Sequence, residues 1–495
     1  MDIPADSKVH IFILCPQCGG TLDFLEEAQV IHCKFCGSNL LVAGREGVLR
    51  YVLPPRISEA KRAQALAVEY LQSLGKRSSH PGKTFLFYAP FWRIQGIVYR
   101  WVFGLKALKM EVEACVPPPM ERFKVLLVRV MDHTTPGYSG LEIGLPSLGV
   151  RPQVLQLRPF AQEDLEKRES FLPLEVPLET VQKETERYAE FFFQAENLIP
   201  EVMLQRMVGI RYSVIYFPLW CVEGLYEGGR QVLVLDAVGE SPIQSVPDGS
   251  MILDKLRGNE TRKSFEFSEL RFLPFRCPNC GWAFPFRPLS ILHFCPTCRH
   301  LFREARGEWT ESSYAVIQSP ENRKSENWLW VPFWRFRTIL ESGEERLENM
   351  AELYRLAPPP RMVDLGREAG RPIFFYLPAV RFRNPQLIHT LGSRLTFFQP
   401  ELNPGTFEDG SHPLTAGGSL SDQDAREMGL MILGALIPQA NRKARAWIRI
   451  CRIDLRAPQV VYFPFARKDL FWKEAVTGIS FQHNALSEDL PEAAR

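Results

Sequence analysis

Eight of the eleven cysteines fall into four Cys-x-x-Cys pairs, and the pairs form two sets of identical spacing. The first set is Cys15, Cys18, Cys33 and Cys36. The second is Cys277, Cys280, Cys295 and Cys298, and fourteen residues separate the pairs in each set. Two residues between cysteines make a tight knuckle that aims both sulfurs at one ion. Fourteen residues suffice for a hairpin that brings the chain back to it. Thr21–Leu25 and Gln29–His32 are the expected strands of the first hairpin. Gly19, Gly37 and Gly281 follow three of the knuckles, where a positive φ lets backbone N–H groups approach the sulfurs. Arg299 follows the fourth.

Four thiolates in a closed tetrahedron suit Zn²⁺ in a structural role, with no position left for substrate. A segment of about 30 residues cannot bury enough surface to fold alone. Zinc supplies the deficit, with apparent binding energies of roughly 10–16 kcal/mol in small zinc peptides. Two structural Zn²⁺ ions are therefore expected. Two other chemistries use Cys-x-x-Cys: a redox dithiol, which the second pair at hairpin spacing disfavours, and a rubredoxin-like iron site. His32, beside Cys33, is an alternative ligand that a full cysteine shell does not need. Paired thiols point to a reducing compartment. The N-terminus shows no signal-peptide pattern, and the longest apolar run, Gly429 to Pro438, is far short of the roughly 18–20 residues of a spanning helix. A cytoplasmic chain without direct membrane insertion is the expectation.

The cysteine sets are not the only repeated feature. Tyr88-Ala-Pro90-Phe91-Trp92-Arg93 follows the first set and Trp330-Val-Pro332-Phe333-Trp334-Arg335 the second. Triple prolines come next, Pro117–Pro119 and Pro358–Pro360, then Leu145-Pro146-Ser147 and Leu377-Pro378-Ala379. Each half closes on a second aromatic-proline box, Tyr216-Phe217-Pro218-Leu219-Trp220 and Tyr462-Phe463-Pro464-Phe465. Landmarks in one order at similar spacing imply an internal duplication. At 495 residues, several domains are expected. We place them at 1–45 (zinc ribbon 1), 46–255 (body of the first repeat), 266–306 (zinc ribbon 2) and 307–495 (body of the second), with Asp254–Phe265 as the joint.

Phe85–Tyr88 and Val214–Phe217 are aromatic and β-branched runs that read as strands. Their prolines suggest edge strands or bulges. Tyr226–Gly229 is a turn signal, followed by a strand over Arg230–Ala237. The box aromatics read as core, with a ligand cage or peptide-binding face as the alternative. Helices are expected from a Ser58 cap through Leu74, over Leu178–Ala195, and from Ser421 with Asp424 towards Leu436. The fold class is α+β: two four-cysteine zinc ribbons, each heading a duplicated unit of small antiparallel sheets plus helices.

These motifs resemble the zinc-ribbon superfamily over the two cysteine sets. With the Tyr-x-Pro-aromatic-Trp boxes added, the chain resembles bacterial tandem zinc-ribbon proteins often described as TFIIB-type or primosomal-helicase-like. Some of those resemble partners of membrane-associated flotillin-like scaffolds, so the resemblance implies a membrane-associated scaffold as one partner. No helicase core accompanies the ribbons here.

No residue set points to catalysis, and the expectation is a non-enzymatic chain. Gly82-Lys83-Thr84 lacks the glycine spacing of a phosphate loop and precedes a strand-like run. His133 beside Asp132 is isolated, and Cys115, Cys221 and Cys451 sit in apolar surroundings that suit buried thiols. The leading functional expectation is an adaptor, scaffold or assembly subunit acting through protein–protein contacts. The alternative is nucleic-acid binding through the second ribbon. The formal charge is only +2, but residues 271–306 carry six arginines against one glutamate. Arg276, Arg287 and Arg299 are the candidate phosphate contacts; Phe272, Phe275, Trp282, Phe284, Phe286 and Phe294 read first as the hairpin's own core, with stacking rings as the alternative.

Overall fold

The aromatic runs around Pro90 and Pro218 do form strands, and both extend well beyond the boxes. The computed structural model describes residues 9–107, 120–149, 156–166, 170–191, 193, 198–247, 249–258, 265–317, 328–359, 362–400, 407, 413–474 and 477–486. Pro117–Pro119, Cys115 and Pro360 lie outside these residues. In chain order the first half supplies β1 (His10–Leu14), β2 (Thr21–Leu25), β3 (Val30–His32), β4 (Asn39–Ala43), β5 (Leu49–Val52), β6 (His80–Ala107), β7 (Met120–Pro136), β8 (Gln156–Pro159), β9 (Leu198–Tyr226), β10 (Gly229–Asp236) and β11 (Ser241–Val246). The second half supplies β12 (Arg271–Pro274), β13 (Leu292–Phe294), β14 (Leu301–Ala305), β15 (Glu308–Ser312), β16 (Tyr314–Val316), β17 (Trp328–Ser342), β18 (Glu345–Leu347), β19 (Phe374–Pro378), β20 (Leu414–Thr415), β21 (Arg452–Lys468), β22 (Phe471–Glu474) and β23 (Ser480–Gln482). With the helices between them, the chain is α+β.

The two boxes of each half pair with each other. Pro90 lies opposite Tyr216 and Tyr88 opposite Pro218 in the antiparallel pair β6–β9. Pro332 lies opposite Tyr462 and Trp330 opposite Pro464 in β17–β21. A parallel strand flanks each pair, with Val52 beside Tyr216 and Val316 beside Tyr462. On the other side Trp92 faces Thr135 and Trp334 faces Leu377. Trp92 Nε1–H donates to the Val176 carbonyl at 2.9 Å, and Trp334 Nε1–H to that of Leu420 at 2.8 Å. Both bodies thus share one register.

That register corrects two expectations. The prolines are in interior strands, not at edges. Pro90, Pro218 and Pro332 are tolerated because their missing N–H faces the end of a neighbouring strand. Past the end of β7, Gly137 N–H donates to the Pro90 carbonyl, and past the end of β19, Ala379 N–H donates to that of Pro332. Ala237 N–H does the same for Pro218, past the end of β10. The position matching Pro378, which faces Phe333, is Pro136, which faces Phe91. It is not Pro146, which lies beyond β7.

The helices hold in kind and shift at their ends. The first is Ala60–Ser73, N-capped at Glu59 without a side-chain bond rather than at Ser58. The second ends at Glu190, short of Ala195. Ser421 and Asp424 form the expected capping box, and helices Asp422–Glu427 and Gly429–Leu436 follow in succession. The presumed joint begins inside another helix, Ser250–Arg257.

The extra length of β6 and β9 joins the halves. Tyr99, Trp101, Phe103, Leu126 and Leu204 are part of the same apolar core as Phe333, Phe375 and Ile432. Trp101 Nε1–H donates to the Met431 carbonyl at 3.0 Å. A Cβ on Gly434 would stand 2.5 Å from Trp101 Cδ1, so the indole can lie against this helix only where glycine is. Lys124 Nζ donates to the carbonyls of Ala435 and Ile437, both at 2.7 Å, where a helix C-terminus favours a cation.

His389 packs edge-on against Trp101 at 5.3 Å in this junction. Burial first, and the Lys124 charge second, hold its imidazole down to about 4. The unfolded chain takes up that proton nearer the ordinary value of about 6.5, so stability is full above that pH and is lost as pH falls towards 4. The loss should be on the order of 1–2 kcal/mol at pH 5. His389→Leu should flatten the drop in Tm between pH 7.5 and pH 5. An unchanged drop would assign that acid lability elsewhere.

Candidate metal centres

Each cysteine set closes into a compact cluster. The four sulfurs lie within 4.8 Å of one another in both. Cys15 and Cys36 Sγ are 4.0 Å apart and Cys18 and Cys33 Sγ 3.7 Å. In the second set Cys277 and Cys298 Sγ are 3.5 Å apart and Cys280 and Cys295 Sγ 3.6 Å. A tetrahedron with Zn–S bonds of about 2.3 Å has edges of about 3.8 Å. The sets therefore fit a tetrahedral metal ion.

The knuckles explain the fit. Gly19, Gly37, Gly281 and Arg299 donate backbone N–H groups to the carbonyls of Cys15, Cys33, Cys277 and Cys295, closing one turn each. Their φ angles are 73°, 73°, 74° and 61°. Arg299 takes the left-handed conformation that glycine takes elsewhere, and its neighbours fix it there. Its Nη1 donates to the Phe407 carbonyl at 3.4 Å, and its own carbonyl accepts from Tyr314 Oη at 3.0 Å. His32 turns away from the cluster to Asn39, 2.8 Å from Oδ1.

The thiols split in acidity. Hydrogen bonds from Ser38 bring Cys36 down to about 6. At Cys298 burial opposes, but the Asn279 side chain and the His300 backbone N–H prevail, again to about 6. Burial, with the adjoining sulfurs, pushes Cys277 up to about 12. Crowded thiols cannot all ionise without a cation among them, and a divalent metal supplies that charge.

The two four-cysteine segments, 9–45 and 266–306 (ribbon 1 and ribbon 2 of the expected layout), are anchored to each other and to the rest of the fold. β12, from the second ribbon segment, pairs with β4 of the first, Phe272 opposite Val42. Val30 and Leu41 share a core with Phe275, Cys277, Phe284 and Cys295. Gln29 and Val30 N–H both donate to the Pro288 carbonyl. In the first body, Arg93 is 1% exposed and binds Glu26 of ribbon 1 at 2.7 Å and Asp132 at 2.6 Å. Glu26 and Asp132 overcome the effect of burial and hold the guanidinium in its charged form. Arg303 of ribbon 2 binds Asp422 at 2.9 Å. Sequence reasoning missed the Arg93 cluster. Its one signal is an arginine inside an otherwise apolar box.

The candidate phosphate contacts fare unequally. Arg276 is exposed. Arg287 is not a surface cation: it is 8% exposed and donates to Thr415 Oγ1 at 3.3 and 3.4 Å. Arg299 is engaged as described. Phe275, Phe284 and Phe294 are buried, whereas Trp282 and Phe286 face outward. Charge reversal at Arg287 should therefore act on stability. Arg287→Glu should cost about 3 kcal/mol in urea unfolding, because it strands a carboxylate in the core. A stable variant would contradict this placement.

No family model, no curated protein and no solved structure matches the chain. Among the described residues, no helix is long and apolar enough to cross a membrane.

Proposed function

We propose that the chain is a non-enzymatic zinc-binding adaptor or assembly subunit, built by internal duplication and working where thiols stay reduced. Zinc is the metal that a closed set of four cysteine sulfurs suits best, and such a set leaves no open ligand position for catalysis. The shared box register and the repeated Trp92 and Trp334 bonds support the duplication.

One observation carries the adaptor reading. Each ribbon places a large ring on the surface beside the same backbone position. In ribbon 1, Cys15 N–H donates to the Gly20 carbonyl, and Phe35 lies over Gly20, where a Cβ would be 2.5 Å from its ring. In ribbon 2, Cys277 N–H donates to the carbonyl of Trp282 itself. Phe35 is 70% exposed and Trp282 64%. Metal-locked loops that hold rings in water offer preorganised anchors for a protein surface. A membrane-associated scaffold is one such partner that the resemblance suggests.

The test is cross-linked capture compared between the native chain and Phe35→Ala with Trp282→Ala. An adaptor loses defined partners while keeping both metals. Capture unaffected by the double substitution, or an isolated monomer that recovers nothing, would sink the reading.

Nucleic-acid binding stands second. Arg276, Trp282 and Phe286 favour it, and the burial of Arg287 weighs against it. Submicromolar binding to labelled single-stranded DNA or RNA, with a salt slope that Arg276→Glu flattens, would bring it forward.

A further inference from the structure

The shared register allows one body to be compared with the other, position by position. Ile94 faces His133 across β6–β7, as Phe336 faces Phe375 across β17–β19. Two residues away, the tryptophans face Thr135 and Leu377. One helix covers this place in the first body, and the successive helices Asp422–Glu427 and Gly429–Leu436 cover it in the second. Val181 N–H donates to the Pro177 carbonyl in one and Ala425 N–H to that of Ser421 in the other, which aligns Glu184 with Met428 and Tyr188 with Ile432.

The second body fills the place with solid core. Phe336, Phe375, Leu377 and Ile432 are fully buried, and Met428 is 2% exposed. The first body holds a cavity of about 160 Å³ there. It opens to solvent past Glu184 and Tyr188; Ile94, Met131 and Val181 form its apolar wall, and His133, Thr135, Glu184, Thr185 and Tyr188 its polar side. A position that packs solid in one body is hollow and polar in the other.

We propose that this cavity binds a small organic ammonium ion. The apolar part, about one ring or a short branched chain, lies against Ile94, Met131 and Val181. The charged head sits by the Glu184 carboxylate and the His133 and Tyr188 rings. The volume fits, since a cavity of about 150 Å³ admits benzene. The chemistry fits too, because a tyrosine ring and a carboxylate together attract an ammonium group. The His133 and Tyr188 rings are already stacked, with centroids 4.3 Å apart and planes 21° from parallel. Burial lowers the His133 imidazole below its ordinary range, so at neutral pH it adds no repelling charge.

This proposal is independent of the adaptor reading and can fail alone. The probe is benzylamine, with benzyl alcohol and benzoate as controls, read by calorimetry and ligand-observed NMR on the full chain. Benzylamine should bind saturably, the alcohol about tenfold or more weaker, and benzoate not at all. Glu184→Gln, on an exposed helix face, should weaken benzylamine about tenfold (roughly 1.4 kcal/mol). His133→Phe with Thr135→Leu copies the second body and should abolish binding while circular dichroism and metal content hold. Absence of saturable benzylamine binding at millimolar concentration would overturn the proposal. So would equal binding of benzoate, indifference to Glu184→Gln, or full binding by the folded double variant. If the double variant does not fold, the Glu184→Gln result decides.

Discussion

Replacing Cys295 with serine should lower the metal content from two ions per chain to one and loosen both ribbons. Cys295 is fully buried and sits in the core that Val30 and Leu41 of the first ribbon share with Phe275 and Phe284 of the second. A structural zinc site contributes roughly 10–16 kcal/mol in small peptides, so losing one should unfold its own hairpin outright. The β12–β4 pairing then loses its support on one side. Metal analysis checks the first part. Hydrogen exchange checks the second, with faster exchange over Val30–His32 and Asn39–Ala43 as well as over the second ribbon. Two ions retained would refute the four-cysteine assignment. Exchange confined to the second ribbon would show that the ribbons fold independently despite their contact.

Replacing Arg93 with alanine should cost about 3–5 kcal/mol, because it strands two partly buried carboxylates that now share one guanidinium. Glu26 comes from ribbon 1 and Asp132 from β7, so this cation clamps the ribbon onto the sheet. Arg93→Lys should recover little, since one ammonium cannot reproduce the bonds from Nε, Nη1 and Nη2. The register-equivalent Arg335 is an internal control. It lies over the Phe374 ring at 3.5 Å and donates to Gln459 at 3.2 Å, and no carboxylate among the described residues binds it. Arg335→Ala should cost about 1 kcal/mol. Urea unfolding of both variants measures the difference, and equal costs would remove the clamp.

The two cysteine clusters were legible because their determinants are local. Two residues between cysteines, with a glycine after the second in three cases of four, close each knuckle, and Thr21–Leu25 and Val30–His32 are strands; they do not form the expected hairpin with each other, because the first pairs with His10–Leu14 and the second with Asn39–Ala43. The paired boxes were legible as repeated strands, since proline, tyrosine and tryptophan mark fixed places in a sheet. The Ser421–Asp424 capping box needs only three residues of separation, and it formed. The match of Pro146 with Pro378 failed because spacing along the chain does not report which residue a strand places opposite another. Pro136 holds that position through its pairing with Phe91.

Other features depend on residues far apart in the chain. The six arginines of residues 271–306 look alike in sequence, yet Arg287 is buried against Thr415, over a hundred positions away, and Arg276 is in water. The outer half of β6 carries Trp101 into the second body only because Gly434 makes room for it. His133 and Thr135 line a cavity only because a helix some fifty residues on covers them without filling the space. Sequence alone determined the two cysteine clusters, the box repeat and the α+β class, since these follow from covalent reach and from local periodicity. Tertiary structure decided which cations and rings face water, how the ribbons brace each other, and where one body is hollow, since burial is set by whatever distant chain arrives to cover a surface.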